Sequence, residues 1–110
     1  MTYRVLIVDD QKEVSRLLRS ALETIEQELI VSEAPSGEEA ILEASRAKVD
    51  LLIADYRLPG ITGVELMKKF RARNPNVKVI MVTGVTDPRL AKEVSECGAD
   101  SFFTKPVSIG

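Results

Sequence analysis

Five short apolar runs of β-forming residues, separated by stretches of helical periodicity, constrain this chain more than any other feature. The runs are Tyr3-Arg4-Val5-Leu6-Ile7-Val8, residues 29–31, residues 50–54, residues 77–82 and residues 101–104. Between the first two, Val14, Leu17, Leu18, Ala21, Leu22 and Ile25 recur at the spacing of one helix face. Ser36 followed by Glu39 has the form of a capping box and opens a helix with Ala40, Ile41 and Ala44 on its apolar side. Pro59-Gly60-Ile61-Thr62-Gly63 reads as a turn, residues 64–73 as a helix closed by Asn74-Pro75, and Asp87-Pro88 as the cap of a fourth helix ended by Gly98. Strands alternating with helices in this way require right-handed crossovers and a parallel sheet covered on two faces. A length of 110 residues with 45% apolar content suits a single α/β domain over residues 1–110 with a core of its own.

Acidic residues stand where two of these strands finish: Asp9 and Asp10 after the first, Asp55 after the third. In a doubly wound sheet of order 2-1-3-4-5 the first and third strands are neighbours, so these acids meet at the carboxyl edge where such folds bind ligands. Thr83 ends the fourth strand and Lys105 follows the fifth, on the same rim. Two carboxylates about 4 Å apart repel by roughly 4 kcal/mol at an effective dielectric near 20. A divalent cation relieves that repulsion, and an all-oxygen donor set favours a hard one such as Mg²⁺, which commonly combines one or two carboxylates with water and a phosphate. A lysine and a hydroxyl beside such an ion suit a transferring phosphoryl group. The one plausible nucleophile is a carboxylate, with Asp55 favoured because the Asp9-Asp10 pair is better used on metal. Taken singly, each residue has a plainer reading as a helix cap, a loop acid or a strand end. Their joint order along the chain carries the argument.

Composition removes other classes. The chain has no histidine, which excludes histidine-based acid–base catalysis and the usual transition-metal sites. A net charge of -2 with both signs dispersed offers no basic stripe for nucleic acid; Lys68, Lys69, Arg71, Arg73 and Lys78 read as a solvated helix end. The single Cys97 forms no internal disulfide and reads as a small buried thiol. With no secretory or membrane-spanning segment, a cytoplasmic protein is expected. The residues after the first strand, Asp9-Asp10-Gln11-Lys12, lack the glycines of a nucleotide-binding turn. A phosphatase with an aspartyl nucleophile would place a second acid two residues after it, where Arg57 stands.

With Val5-Leu6-Ile7-Val8-Asp9-Asp10, Asp50-Leu51-Leu52-Ile53-Ala54-Asp55, Leu58-Pro59-Gly60, Val82-Thr83-Gly84, Gly98-Ala99-Asp100 and Phe102-Phe103-Thr104-Lys105-Pro106, the chain resembles the receiver domain of bacterial two-component response regulators along nearly its whole length. The resemblance implies a flavodoxin-like fold and a signalling domain that is not a dedicated enzyme, although it assists its own phosphorylation and dephosphorylation. Asp55 matches the phosphoacceptor, supplied by a sensor histidine kinase or a histidine phosphotransfer protein. Asp10 matches the direct Mg²⁺ ligand, Asp9 the acid that acts largely through a metal-bound water, and Arg57 the residue whose backbone carbonyl completes the metal set. Lys105 matches the phosphate-pairing lysine. Thr83 matches the switch hydroxyl and Phe102 the switch aromatic, here without the hydroxyl of a tyrosine. The readout surface falls on residues 89–97, and Lys105-Pro106 matches a cis peptide. Arg57 and Val85 flank the approach of hydrolytic water, and Val85 cannot orient it. Such a domain normally continues into a fifth helix, whereas this chain stops at Val107-Ser108-Ile109-Gly110. The expectation is therefore a C-terminally truncated domain with an exposed apolar patch that a homodimer would cover. The rival reading is a degenerate receiver that acts as a phosphorylation-independent interaction module.

Overall fold

The computed structural model of the chain describes residues 2–84 and 88–105, with residues 88, 90 and 91 in backbone alone. The readings placed on Val85, Asp87, the Lys105-Pro106 peptide and residues 107–110 lie outside the described residues. Five strands, β1 (Tyr3–Val8), β2 (Leu29–Ala34), β3 (Leu51–Asp55), β6 (Lys78–Thr83) and β7 (Ser101–Thr104), form one parallel sheet in the order β2-β1-β3-β6-β7. A separate antiparallel ribbon joins β4 (Arg57–Leu58) to β5 (Ile61–Thr62). The helices are α1 (Lys12–Glu23), α2 (Gly37–Arg46), α3 (Gly63–Arg73) and α4 (Pro88–Glu96). The expected order of the five long strands is the observed one.

Alternation along the central strands builds two cores. Leu6, Val8, Leu52, Ala54, Val79 and Met81 are buried on one face with Ala40, Leu66, Met67, Phe70 and Val94 from three helices. Val5, Ile7, Ile53 and Val82 face the other way, where Leu18 and Leu22 of α1 pack on them. Each fully buried aliphatic side chain contributes roughly 1.5–3 kcal/mol, so the first face holds most of the burial energy. The register aligns Leu6 with Leu52 and Leu52 with Val79, which keeps large side chains in one layer across three strands.

The ends of the elements are fixed locally. Ser36 caps α2 by accepting from the Glu39 N–H at 3.3 Å, as its spacing predicts. Thr62 caps α3 in the same way at 3.2 Å, and its hydroxyl also donates to Glu65. Strand β2 runs three residues further than its apolar signal, through Ser32 and Glu33. It lies at the sheet edge with one side in solvent, where polar residues cost little. Gly60 takes a φ of 76° in the turn of the ribbon, a left-handed conformation that suits glycine. Cys97 is half-buried rather than buried, and its thiol donates to the Val94 carbonyl. At the far end, Asp100 accepts from Arg71 at 3.0 Å and from the Val79 N–H at 2.8 Å, tying the start of β7 to α3 and β6. The Val79 N–H, followed by the Arg71 charge, holds that carboxyl below the usual range. Among the described residues no helix is long and apolar enough to cross a membrane.

Candidate functional site

Because β1, β3 and β6 are neighbours in parallel, their carboxyl ends deliver Asp9, Asp55 and Thr83 to one rim, and the loop after β7 adds Lys105. Asp9, Asp55 and Thr83 are buried, at 4%, 6% and 3% exposure, while Asp10 is exposed. One carboxylate oxygen from each of Asp9, Asp10 and Asp55 lies within 4.8 Å of the others. Asp10 and Asp55 border an open cleft of about 340 Å³, lined also by Gln11, Arg57, Gly84 and Lys105.

Each group is held by its own backbone surroundings. The Asp9 N–H donates to the Ala34 carbonyl at 3.1 Å, and Asp9 Oδ1 accepts from the Gln11 N–H at 2.8 Å. Asp55 Oδ1 accepts from the Arg57 N–H at 3.2 Å, so the first residue of β4 orients the acid that ends β3. The exposed Arg57 side chain has no part in that contact. The Lys105 N–H donates to the Thr83 carbonyl at 2.7 Å, which brings the lysine stem over the sheet edge. Its ammonium then reaches Asp55 Oδ2 at 2.9 Å, Gln11 Oε1 at 2.7 Å and Asp9 at 3.1 Å to Oδ2 and 3.4 Å to Oδ1.

Glycine 63 decides how closely the next helix approaches. A Cβ at that position would run into the Asp55 carbonyl and the Met81 sulfur, and the Gly63 N–H donates to the Tyr56 carbonyl at 2.7 Å. The start of α3 is thereby pressed against the backbone that carries Asp55. Tyr56 itself is buried in the larger core. Burial pushes its hydroxyl up from the ordinary value, and the neighbouring Glu93 of α4 adds to that shift.

The electrostatics are those of a site short of positive charge. Burial pushes the Asp9 carboxyl above its ordinary value and the Asp55 charge adds to this, against the pull of the Gln11 N–H and Lys105. Lys105 is also raised: burial alone would lower it, but the hydrogen bonds and charges of Asp55 and Asp9 outweigh that. Three carboxylates stand together and the Lys105 ammonium pairs with two of them, Asp9 and Asp55, which leaves an excess of negative charge. Asp9 Oδ2 is buried without a hydrogen bond, having the Lys105 ammonium nearby but out of line. An orphaned oxygen, two more carboxylates within reach and, among the described residues, no histidine or cysteine in the cluster fit a hard divalent cation.

Of the residues singled out in the sequence, Asp9, Asp10, Asp55, Thr83 and Lys105 come together at this rim. Phe102 does not. It lies on β7 opposite Met81 with 39% of its surface exposed, and Phe103 beside it is 59% exposed. Sequence reading overlooked Gln11 and Gly63. Gln11 carried a signal all the same, as an unusual residue at the N-cap of a helix that follows an acid pair.

Residues 5–110 match the family model of the response regulator receiver domain. The response regulator UvrY of Escherichia coli K12 is 36% identical over 101 residues, 92% of this chain and 46% of that protein. A structure of a response regulator from Chloroflexus aurantiacus superposes with a TM-score of 0.83 at 32% identity, covering 96% of this chain and 87% of that one. CheY of Borrelia burgdorferi, in its complex with CheX, BeF₃⁻ and Mg²⁺, superposes with a TM-score of 0.80 at 25% identity over 96% of this chain and 80% of the other. The chain spans less than half the length of curated relatives such as UvrY. With the acid cluster, the lysine and the 2-1-3 sheet edge all in place, the chain belongs to the family of response regulator receiver domains.

Proposed function

We propose that this domain receives a phosphoryl group on Asp55 from a phosphohistidine and passes the signal on by changing a surface. The reading rests on one observation above all. The Asp55 carboxylate, almost wholly buried, presents Oδ2 to the Lys105 ammonium at 2.9 Å beside two further acids and an open cleft. An oxygen of Asp55 attacks phosphorus, the P–N bond breaks, and the imidazole nitrogen leaves with the electron pair. No histidine lies in this sequence, so the donor is another protein segment, a sensor histidine kinase or a histidine phosphotransfer protein. Mg²⁺, when bound by Asp9, Asp10, Asp55 and the Arg57 carbonyl, supplies positive charge opposite the phosphoryl oxygens. Lys105 neutralises a further oxygen, and the Thr83 hydroxyl donates to another. The presence of BeF₃⁻ and Mg²⁺ with Borrelia CheY is in keeping with this assignment.

Thr83 and Phe102 are the proposed switch. Phe102 stands partly in solvent on an edge strand, from which it can turn inward as Thr83 moves toward the phosphoryl group. Moving such a switch from 1:99 to 99:1 takes about 5.5 kcal/mol, the order of a few charge-assisted hydrogen bonds with a repacked ring. The face of α4 beside β7 is the readout surface.

The decisive experiment is the intact mass after incubation with Mg²⁺ and acetyl phosphate. A phosphate adduct is expected in the wild type, and none in Asp55→Asn or with a chelator. A folded wild type that takes no adduct overturns the reading in favour of a phosphorylation-independent interaction module.

A further inference from the structure

Gln11 stands at the N-cap of α1, a position that favours Ser, Thr, Asp or Asn because their short side chains accept from the first free N–H groups. Gln11 makes no such bond. Its carboxamide points the other way and accepts from the Lys105 ammonium at 2.7 Å, across 94 residues of sequence. That is the shortest of the contacts made by this ammonium; Asp55 lies at 2.9 Å and Asp9 at 3.1 Å. The backbone of Gln11 serves the same rim, since its N–H holds Asp9 Oδ1 at 2.8 Å. Gln11 also lines the cleft.

The three acceptors around Lys105 differ in kind. Asp9 and Asp55 are carboxylates, whose negative charge a divalent cation or a phosphoryl group would draw away from the lysine. The Gln11 carboxamide is neutral, and its strength as an acceptor does not depend on either. A lysine held by the acids alone would be released at the moment its charge is needed. We propose that Gln11 is a positioning residue that keeps the Lys105 ammonium over Asp55 when metal and phosphoryl group compete for the carboxylates. Its consequence for phosphorylation rests on the phosphoacceptor reading of Asp55; the tether itself does not.

The test compares wild type, Gln11→Met and Gln11→Ser, all loaded with Mg²⁺. Methionine keeps the length of the side chain without the amide oxygen. Serine removes the tether and restores a good N-cap. Hydrogen exchange at the Lys105 ammonium, followed by ¹⁵N NMR with Lys105→Arg for assignment, should be about three- to tenfold faster in both variants. Phosphorylation by acetyl phosphate at saturating Mg²⁺ should slow by a similar factor, with Mg²⁺ affinity within twofold of wild type. Gln11→Ser should do this while melting at a higher temperature, a combination that a merely structural role cannot produce. Unchanged exchange at Lys105 in both variants overturns the tether. A wild type that takes no phosphate overturns the Asp55 reading instead, and the exchange measurement still decides the tether.

Discussion

Asp9 shows how a single side chain is shaped by what it lacks. Its Oδ2 is buried with no hydrogen bond, its neighbour Asp55 is also an acid, and burial raises its pKa. A residue tuned only for stability would be neutral here. Asp9→Asn keeps the acceptor for the Gln11 N–H and removes the repulsion, so without metal the variant should be more stable by on the order of 1 kcal/mol. With Mg²⁺ bound at the proposed site the order should reverse. At a concentration one hundred times its Kd the ion stabilises the wild type by about 2.7 kcal/mol, and Asp9→Asn should lose most of that gain. The pH dependence follows from the direction of the shift. A carboxyl raised above 3.8 in the folded state binds its proton more tightly there than in the unfolded chain, so its ionised form subtracts stability above the folded pKa. That subtraction fades as pH falls through the folded pKa toward 3.8. Urea denaturation in chelator at pH 7 and pH 4 should therefore show the gap between Asp9→Asn and wild type closing at the lower pH, and a constant gap would contradict the assignment.

At the scale of elements, Gly63 joins a helix, a strand and the site. The first turn of α3 lies against the backbone of Asp55 and Tyr56 with no room for a methyl group. Backbone on one side cannot give way, although the Met81 side chain on the other can. Gly63→Ala should destabilise by about 1–3 kcal/mol and shift the Asp55 loop, lowering the rate of phosphate uptake beyond what lost stability explains. Chemical denaturation together with uptake measured on the remaining folded fraction would check both parts; a stable variant with normal uptake would remove the argument. What was legible in the sequence follows the same local logic. The continuous apolar runs of β1, β3 and β6, each ending in an acid or a hydroxyl, were enough, with the doubly wound strand order, to place Asp9, Asp55 and Thr83 on one edge. Ser32 and Glu33 hid the second half of β2, because an edge strand tolerates polar residues that a central strand does not. The two-residue strands β4 and β5 are too short to carry any periodic signal. The bond from Gln11 to Lys105 joins residues 94 apart and leaves no trace at the level of spacing.

The whole molecule has two sheet edges, and they are protected unequally. On β2, Arg19 donates to the Val31 carbonyl at 3.1 Å and pairs with Glu33 at 2.7 Å, so charged groups cover that edge. On β7 the outer edge has no strand partner among the described residues, and Phe102 and Phe103 are 39% and 59% exposed on opposite sides of it. A short, uncharged edge bearing two aromatic rings is a template for association with a second copy. We therefore expect this chain to self-associate through β7, with an apparent mass by light scattering that rises with concentration. Burying one phenylalanine contributes about 1.5–3 kcal/mol, so Phe103→Asp should weaken the dimer at least ten- to hundredfold while leaving the fold unchanged by circular dichroism. Charge on the edge opposes association in two ways, by removing the ring and by setting like charges against each other across a symmetric contact. A wild type that stays monomeric at all concentrations, or a Phe103→Asp variant that associates as strongly, would rule out β7 as the contact. If phosphorylation of Asp55 turns Phe102 inward, the same scattering measurement with and without acetyl phosphate reads the switch directly. The phosphorylated chain should present a different β7 surface, and its dimer affinity should change while that of Asp55→Asn does not.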